Sequence, residues 1–256
     1  MTGLAELAQQ LRALHHGPEP LVLPNAWDAA TARSVVDAGF PVVATTSSGM
    51  SAALGYADGE HTPPDEMFEA IRRITHVVPD VPVTADIESG YGLSPEELVK
   101  RLLEAGAVGC NLEDTDHHAE PGTRRLVDAE AQQQRLRAVK QAGRDQGVDI
   151  VLNARVDVFF SQSPTVEEAV RRAKLYLAAG ADAIFPIGAP DEASIVSLVK
   201  EIPGPVNVIP GFRGAPPLAR LRELGVRRIS YAGRLHRAMM VEQQRRLTDL
   251  REWRDF

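Results

Sequence analysis

The sequence predicts an α/β protein, a (β/α)8 barrel, and three observations carry that expectation. Short runs rich in Val and Ile alternate with longer stretches of helical period, about eight times along the chain. Several helical stretches stop at glycine just before the next strand, as at Ala38-Gly39, Ala105-Gly106, Ala179-Gly180 and Leu224-Gly225. Such a glycine ends a helix in the left-handed conformation and leads into β structure. The length of 256 residues, 44% hydrophobic and 25% charged, suits one large core, so residues 1–256 are expected to form a single barrel domain.

Taken in order, Leu4 to His15 reads as an amphipathic helix able to plug the N-terminal face of the barrel. Strands are expected at Leu21 to Asn25, Pro41 to Thr46, Val81 to Glu88, Ala107 to Asp114, Asp149 to Asp157, Ala181 to Ile187, Pro205 to Pro210 and Arg227 to Ala232, each followed by a helix. Ser94-Pro-Glu-Glu97 offers an N-cap serine, a proline at the first helical position and a capping-box glutamate, and Ser163-Pro-Thr-Val-Glu-Glu168 offers similar signals. Arg234 to Arg254 is longer than one barrel layer needs, and the excess suggests a contact with another subunit.

The balance of 28 basic against 35 acidic residues gives a net charge of -7, with arginines scattered along helices, which argues against nucleic acid or an anionic membrane as partner. The single cysteine, Cys110, allows no intrachain disulfide and is expected to be a small core residue. The N-terminus lacks a basic region followed by an apolar run, and no apolar stretch approaches the roughly 20 residues of a membrane-spanning helix. A cytoplasmic protein is expected.

In a β/α barrel the active site forms at the C-terminal ends of the strands. The third strand ends Val81-Pro-Val-Thr-Ala-Asp-Ile-Glu-Ser-Gly-Tyr-Gly92. Side chains two apart share a face, so Thr84, Asp86 and Glu88 are expected to point the same way, and adjacent anions repel unless a cation lies between them. The fourth strand adds Asn111 and Glu113. Asp86, Glu88 and Glu113 suit a hard cation, Mg2+ or Mn2+, with oxygen ligands and retained waters. Without Cys-rich or His-x-x-x-His spacing, zinc is disfavoured.

Arg155, in Leu152-Asn-Ala-Arg-Val-Asp157, offers a fork for a substrate carboxylate or phosphonate; a salt bridge to Glu113 or Asp157 is the alternative. Thr45-Thr-Ser-Ser-Gly-Met50 offers hydroxyls and backbone N–H groups around a glycine that could cradle an anion, or forms an ordinary turn. Asn207, at the end of the seventh strand, is a further candidate for substrate binding. Trp27 is a pocket wall or a core aromatic, and Asp58 a site acid or a turn residue. His117 and His118 lie in a polar loop placed to act as a lid, and His118 is assigned an acid–base role for its value near neutral pH.

Together these segments resemble the isocitrate lyase and phosphoenolpyruvate mutase superfamily. The resemblance runs through Leu23-Pro-Asn-Ala-Trp-Asp-Ala-Ala30, Ser47-Ser-Gly-Met-Ser51, Gly55-Tyr-Ala-Asp58, Ala85-Asp-Ile-Glu-Ser-Gly-Tyr-Gly92, Asn111-Leu-Glu-Asp114 and Asn153-Ala-Arg-Val-Asp157, in the family's order. It implies a barrel whose last helix is often exchanged between partners in a tetramer, and a Mg2+ site with Asp86 as direct ligand and Glu88 and Glu113 holding metal-bound waters. It also implies that Ser47, Gly49 and Met50 contact the substrate carboxylate, that Trp27 walls the pocket, that Arg155 binds the other anionic end and that Asp58 sits close to the metal.

Departures narrow the reading. The loop Thr115-Asp-His-His-Ala-Glu-Pro-Gly-Thr-Arg-Arg125 has no cysteine, where lyases of the isocitrate type carry Lys-x-Cys-Gly, and it lacks the Lys and Asn of phosphonopyruvate-processing members. After the sixth strand, where many members place His or Glu, the chain reads Phe185-Pro-Ile187. The leading expectation is a Mg2+-dependent lyase cleaving a C–C bond of a small 2-oxo or 2-hydroxy (di)carboxylate, by retro-aldol cleavage or decarboxylation through a metal-stabilised enolate. The alternatives are a mutase or hydrolase of phosphonopyruvate-type P–C bonds, and a barrel that binds a 2-oxo acid without turnover.

Overall fold

The computed structural model describes residues 2–120, 123 and 125–255. The order is α1 (Leu4–Leu14), β1 (Leu21–Leu23), β2 (Asn25–Ala26), α2 (Ala29–Asp37), β3 (Val43–Thr45), α3 (Ser47–Leu54), α4 (Pro64–Val77), β4 (Val83–Asp86), α5 (Pro95–Glu104), β5 (Gly109–Glu113), α6 (Ala129–Asp145), β6 (Val151–Arg155), a 3-10 turn (Val158–Phe160), α7 (Val166–Ala178), β7 (Ala183–Phe185), α8 (Glu192–Glu201), β8 (Asn207–Val208), α9 (Leu218–Glu223), β9 (Arg228–Ser230) and α10 (Arg234–Arg251). All pairings between these strands are parallel, in the orders β2-β3-β4-β5-β6-β7 and β1-β9-β8. A parallel bridge from Ile184 to Val206 joins the two sets. β1 and β2 are one strand broken at Pro24, which has no N–H to give to a ladder. The ring therefore closes as an eight-stranded barrel.

Each observed strand lies within its expected span, save that the first runs on to Ala26. Strands in a barrel are buried on both faces by helices outside and side chains inside, so they read as near-continuous apolar runs. The Ala-Gly junctions behave as expected: Gly106 has φ +82°, and a Cβ there would lie 2.8 Å from Thr75 Oγ1. Ser94 caps α5 by accepting from Glu97 N, while the Glu97 side chain pairs with Arg101 and does not return to complete a capping box. The cap of α7 is Thr165, two residues beyond the expected Ser163.

α1 seals the N-terminal face, as expected. Leu7, Ala8 and Leu11 are buried, and Gly109 lacks a side chain where Leu11 packs: a Cβ there would sit 2.8 Å from Leu11 Cδ2. Trimming Leu11 to alanine should cost about 2–5 kcal/mol. Beyond this helix lies a charged lattice. Arg12 Nε donates to Asp182 Oδ1 at 2.7 Å, and the buried Lys140 Nζ donates to Asp182 Oδ2 at 3.0 Å and to Ile150 O at 2.6 Å.

Inside the barrel Arg228 is fully buried and donates across the interior to Asn111 Oδ1, on a strand that is not its neighbour, at 3.2 Å. It also meets His15 Nε2 at 3.0 Å. Arginine can only donate, so Nε2 accepts and Nδ1 carries the proton that goes to Leu11 O at 2.8 Å. Burial, with Arg228 beside it, holds His15 down at about 4, as the neutral ring.

α10 contributes no buried residue, and Met239, Met240, Val241, Leu247 and Leu250 along it are exposed. No helix among the described residues is long and apolar enough to cross a membrane.

Candidate active site

At the C-terminal ends of the strands lies a cavity of about 800 Å³. Its first wall comes from β3 and β4. Thr45 Oγ1 accepts from Asp86 N at 2.9 Å, and the first residue of α3, Ser47, donates to Asp86 Oδ2 from its N–H at 3.3 Å and its hydroxyl at 3.1 Å. Asp86 Oδ1 is buried with no hydrogen-bond partner. Burial raises the Asp86 carboxyl above the usual range, with Arg155 pulling the other way.

β4 ends at Asp86, so strand alternation does not carry on to Glu88 as expected. Glu88 instead adopts a left-handed backbone, φ +51°, as does Tyr91 at +55°. The turn still brings the Glu88 carboxylate to the cavity, where Oε2 accepts from Gly59 N at 2.8 Å and Glu60 N at 2.6 Å. Glu88 thus ties down the turn that places the exposed Asp58 at the rim. Burial, followed by repulsion from Asp58, pushes the Glu88 carboxyl up to about 8.

The second wall is built on β5 and β6, where Glu113 and Arg155 are register partners. Arg155 donates from Nε and Nη2 to the two oxygens of Asp157 at 2.7 and 2.8 Å, and its Nη1 pairs with Glu113 Oε2. The salt-bridge reading of Arg155 is therefore realised with both candidate acids. Two N–H groups, one on each terminal nitrogen, are left over, and the side chain lines the cavity. Burial disfavours the Arg155 charge, but Asp157 and Glu113 together outweigh it and hold the guanidinium firmly protonated. Glu113 is pushed to about 7 by burial against the pull of Arg155.

Asp114 turns the other way, accepting from Asp157 N at 2.8 Å, Tyr176 Oη at 2.7 Å and Arg172 at 3.0 Å. It fixes Asp157, and through Asp157 the fork of Arg155.

Over this lies the polar loop, closed by an antiparallel bridge from Thr115 to Leu126 and by Arg125 Nε on Asp116 at 2.9 Å. His117, not His118, turns into the site: its Nε2 lies 2.6 Å from Glu113 Oε1. Burial works against a charge on His117, but the hydrogen bond to Glu113 prevails and its pKa is raised. His118 is exposed and does not line the cavity, which corrects the assignment made from the sequence.

Other expectations separate in the same way. Ser47, Asp58, Asp86, Glu88, Glu113 and Arg155 converge on one cavity. Asn207 does not reach it. It is buried one layer down, donating to Ser230 Oγ at 3.0 Å, because β8 is only two residues long and the chain runs on past it. Trp27 packs edge-on against His236, ring centroids 5.0 Å apart, outside the lining. Gly49 and Met50 are buried in the first turn of α3, where a Cβ on Gly49 would approach Thr46 Cγ2 to 2.8 Å; the glycine serves close packing there. Cys110 is buried and its thiol pushed up to about 12 by burial, the inert core residue expected.

The far wall was not foreseen. Phe160, Ile187, Phe212 and Ala232 line it, with Arg237 at the mouth and His61 beside Asp58. Phe160 and Phe212 stand on a 3-10 turn and a loop, where no period announces a shared surface. Only the apolar end of β7 carried a signal.

A profile of the phosphoenolpyruvate phosphomutase family matches residues 11–251. The chain belongs to that family. An uncharacterized protein of Mycobacterium tuberculosis is 32% identical over 85% of this chain and 79% of that one. A 2-methylisocitrate lyase of Bacillus subtilis is 28% identical over 78% of this chain and 66% of that one. Among solved structures, a candidate phosphonomutase of Burkholderia cenocepacia J2315 superposes with a TM-score of 0.86 at 39% identity, covering 95% of this chain and 99% of that one. For 2,3-dimethylmalate lyase, of the PEP mutase/isocitrate lyase superfamily, the TM-score is 0.84 at 26% identity, covering 96% and 86%. The superfamily is one of enzymes, both lyases and mutases.

Proposed function

We propose that this chain is a Mg2+-dependent lyase that breaks a C–C bond in a small 2-oxo or 2-hydroxy acid. The observation that carries the reading is Asp86: a buried carboxylate, one oxygen held by Ser47 and the other unpartnered, in a cavity also lined by Asp58, Glu88, Glu113 and Asp157. Among the described residues the arginines lining that cavity are Arg155, already engaged by two acids, and the exposed Arg237, while His117 is spent on Glu113. An anionic substrate entering such a site needs additional positive charge.

The donor set fits a hard cation. Among the described residues no three His, Cys, Asp or Glu side chains converge as direct ligands. One carboxylate at the metal and others at water distance is the arrangement magnesium accepts and zinc does not. Asp86 would hold the ion, with Glu88 and Glu113 receiving its waters; Mn2+ suits the same oxygens. When bound, the ion supplies Lewis-acid charge for enolate development, worth several kcal/mol.

The chain's own groups supply the rest. Ser47 fixes the rotamer of Asp86. Arg155, locked by Asp157 and Glu113, presents its two spare N–H groups to the substrate anion. His117, paired with Glu113 on the polar loop, carries the proton that the freed carbon takes up when the C–C bond breaks, in place of the loop cysteine this chain lacks.

The same cavity admits a P–C reading, favoured by the family profile and by the Burkholderia structure. The exposed apolar residues of α10 support assembly into a homo-oligomer.

Calorimetric titration of Mg2+ with oxalate, alongside product analysis from a panel of 2-oxo and 2-hydroxy acids, tests the proposal. Wild-type protein should bind oxalate only with Mg2+, and Asp86→Asn should lose both binding and turnover. Full Mg2+-dependent turnover by Asp86→Asn would overturn it, and rearranged product or phosphate from phosphonopyruvate would move it to the P–C reading.

A further inference from the structure

The cavity has two chemically opposite walls, and the second has no part in the reading above. The ends of β3 to β6 contribute Ser47, Asp86, Glu113 and Arg155. The ends of β7 to β9 and the turn after β6 contribute Ile187, Phe212, Ala232 and Phe160.

The apolar wall is a built feature. Phe185, Ile187 and Ile209 form a buried cluster of their own, separate from the main core, with Phe160, Phe212 and Ala232 packed against it. Phe160 meets Phe212 edge to face at 6.5 Å, and the Arg213 guanidinium lies 5.1 Å from the Phe160 ring centroid while donating to Phe159 O at 2.9 Å. Gly188 stands in the left-handed region at φ +82°, and a Cβ there would come within 2.9 Å of Phe160 Cζ. A side chain at position 188 would push the ring out of place. Aromatic rings clamped in this way present a fixed surface, and apolar surface facing a ligand cavity rewards apolar ligand area.

We infer that the site takes a 2-oxo or 2-hydroxy acid whose remote end is an uncharged alkyl or aryl group, seated on Phe160, Ile187, Phe212 and Ala232. The inference rests on the proposed function for the acid end and adds the identity of the other end. Among the described residues the four side chains of that wall carry no hydrogen-bond donor, so a second carboxylate or a phosphonate seated on them would lose its water without replacement unless it reached Arg237 at the mouth. An alkyl chain gains instead, by about fourfold in affinity per methylene buried.

The test is calorimetric titration, with Mg2+ present, of pyruvate, 2-oxobutanoate, 2-oxopentanoate, 2-oxohexanoate and phenylpyruvate, against oxaloacetate and phosphonopyruvate, with oxalate as the ligand that needs only the acid end. Affinity should climb about fourfold per methylene from pyruvate upward, and phenylpyruvate should bind more tightly than oxaloacetate. Phe212→Ser should flatten the series while leaving oxalate unchanged. If oxalate binds but the series is flat, the inference is overturned and the acid-end reading survives. If oxaloacetate binds tightest and Arg237→Ala abolishes that preference, the remote end is anionic and the inference is likewise overturned. If neither oxalate nor any member of the series binds, both readings fall. A rising series without oxalate binding would support the apolar wall and remove the metal-centred reading.

Discussion

The two ends of the barrel both bury charge, and they do it in opposite ways. At the N-terminal end the two carboxylates around the buried Lys140 are matched by cations: Asp182 receives Arg12, Lys140 and the Leu152 N–H, while Asp149 meets Lys140 and Arg12. At the C-terminal end Asp86, Glu88, Glu113 and Asp157 outnumber the described cations among them, the half-buried Arg155 and His117, and one oxygen of Asp86 has no hydrogen-bond partner. Compensated charge of the first kind holds a fold together. Uncompensated charge of the second kind is a cost in the empty protein that a ligand can repay.

The comparison breaks most visibly at Asp182. Asp182→Ala would leave the buried Lys140 with only the half-exposed Asp149, take an acid from Arg12 and orphan the Leu152 N–H, and should cost about 3–5 kcal/mol in urea unfolding, with oxalate affinity unchanged. If it instead weakened oxalate binding tenfold, the two ends would not be separable. Acid pH should find the same end of the molecule through His15. Between pH 6.5 and 4 the unfolded chain binds a proton at His15 and the folded chain does not, so stability is lost as pH falls through that window. The loss amounts to roughly 3 kcal/mol. It should appear as the difference between wild type and His15→Gln across a pH series, and equal slopes for the two proteins would refute it.

At the other end the sign reverses for Asp86. Asp86→Asn removes a buried carboxylate that makes no direct ion pair and has one oxygen without a hydrogen bond, and should raise the stability of the metal-free protein by about 1–2 kcal/mol. The variant should also lose the stabilisation, about 2.7 kcal/mol at a hundredfold excess over the dissociation constant, that Mg2+ and oxalate give the wild type. Thermal unfolding with and without ligand reads both. Within the polar loop, His117→Asn should slow turnover by about 100- to 10,000-fold, whereas His118→Ala should leave it within about twofold and stability within about 0.5 kcal/mol. An equal loss from both would mean that the loop acts as a whole.

The barrel could be read from the sequence because most strands are local apolar runs and several helix ends carry local signals, which survive into the structure with shifts of a residue or two, as at the Thr165 cap of α7. Asp86, Glu113 and Arg155 could be read for the same reason, since each closes a strand whose end defines the active face. Glu88 was placed correctly but for the wrong cause: alternation assumes extended backbone, and the chain leaves it at Asp86. Asn207 failed where a two-residue strand left too little to fix which layer it occupies. Choosing between His117 and His118 needs the fold of a loop with no period, and the apolar wall needs four segments brought together by closure of the ring.

That closure has a temporal side. Pro24 divides the first strand so that β1 pairs only with β9 and β2 only with β3, which makes the join between the two ends of the chain a three-residue ladder, Leu21 to Leu23 on Arg228 to Ser230. Contacts between such distant segments carry the largest loop-closure cost and form late, whereas β5 and β6, joined by a single helix, share five registered pairs. The barrel should therefore fold as an open sheet that zips from β4–β6 outward and shuts last beside Pro24. Amide hydrogens of Val22 and Ile229 should accordingly exchange sooner than those of Leu112 and Ala154.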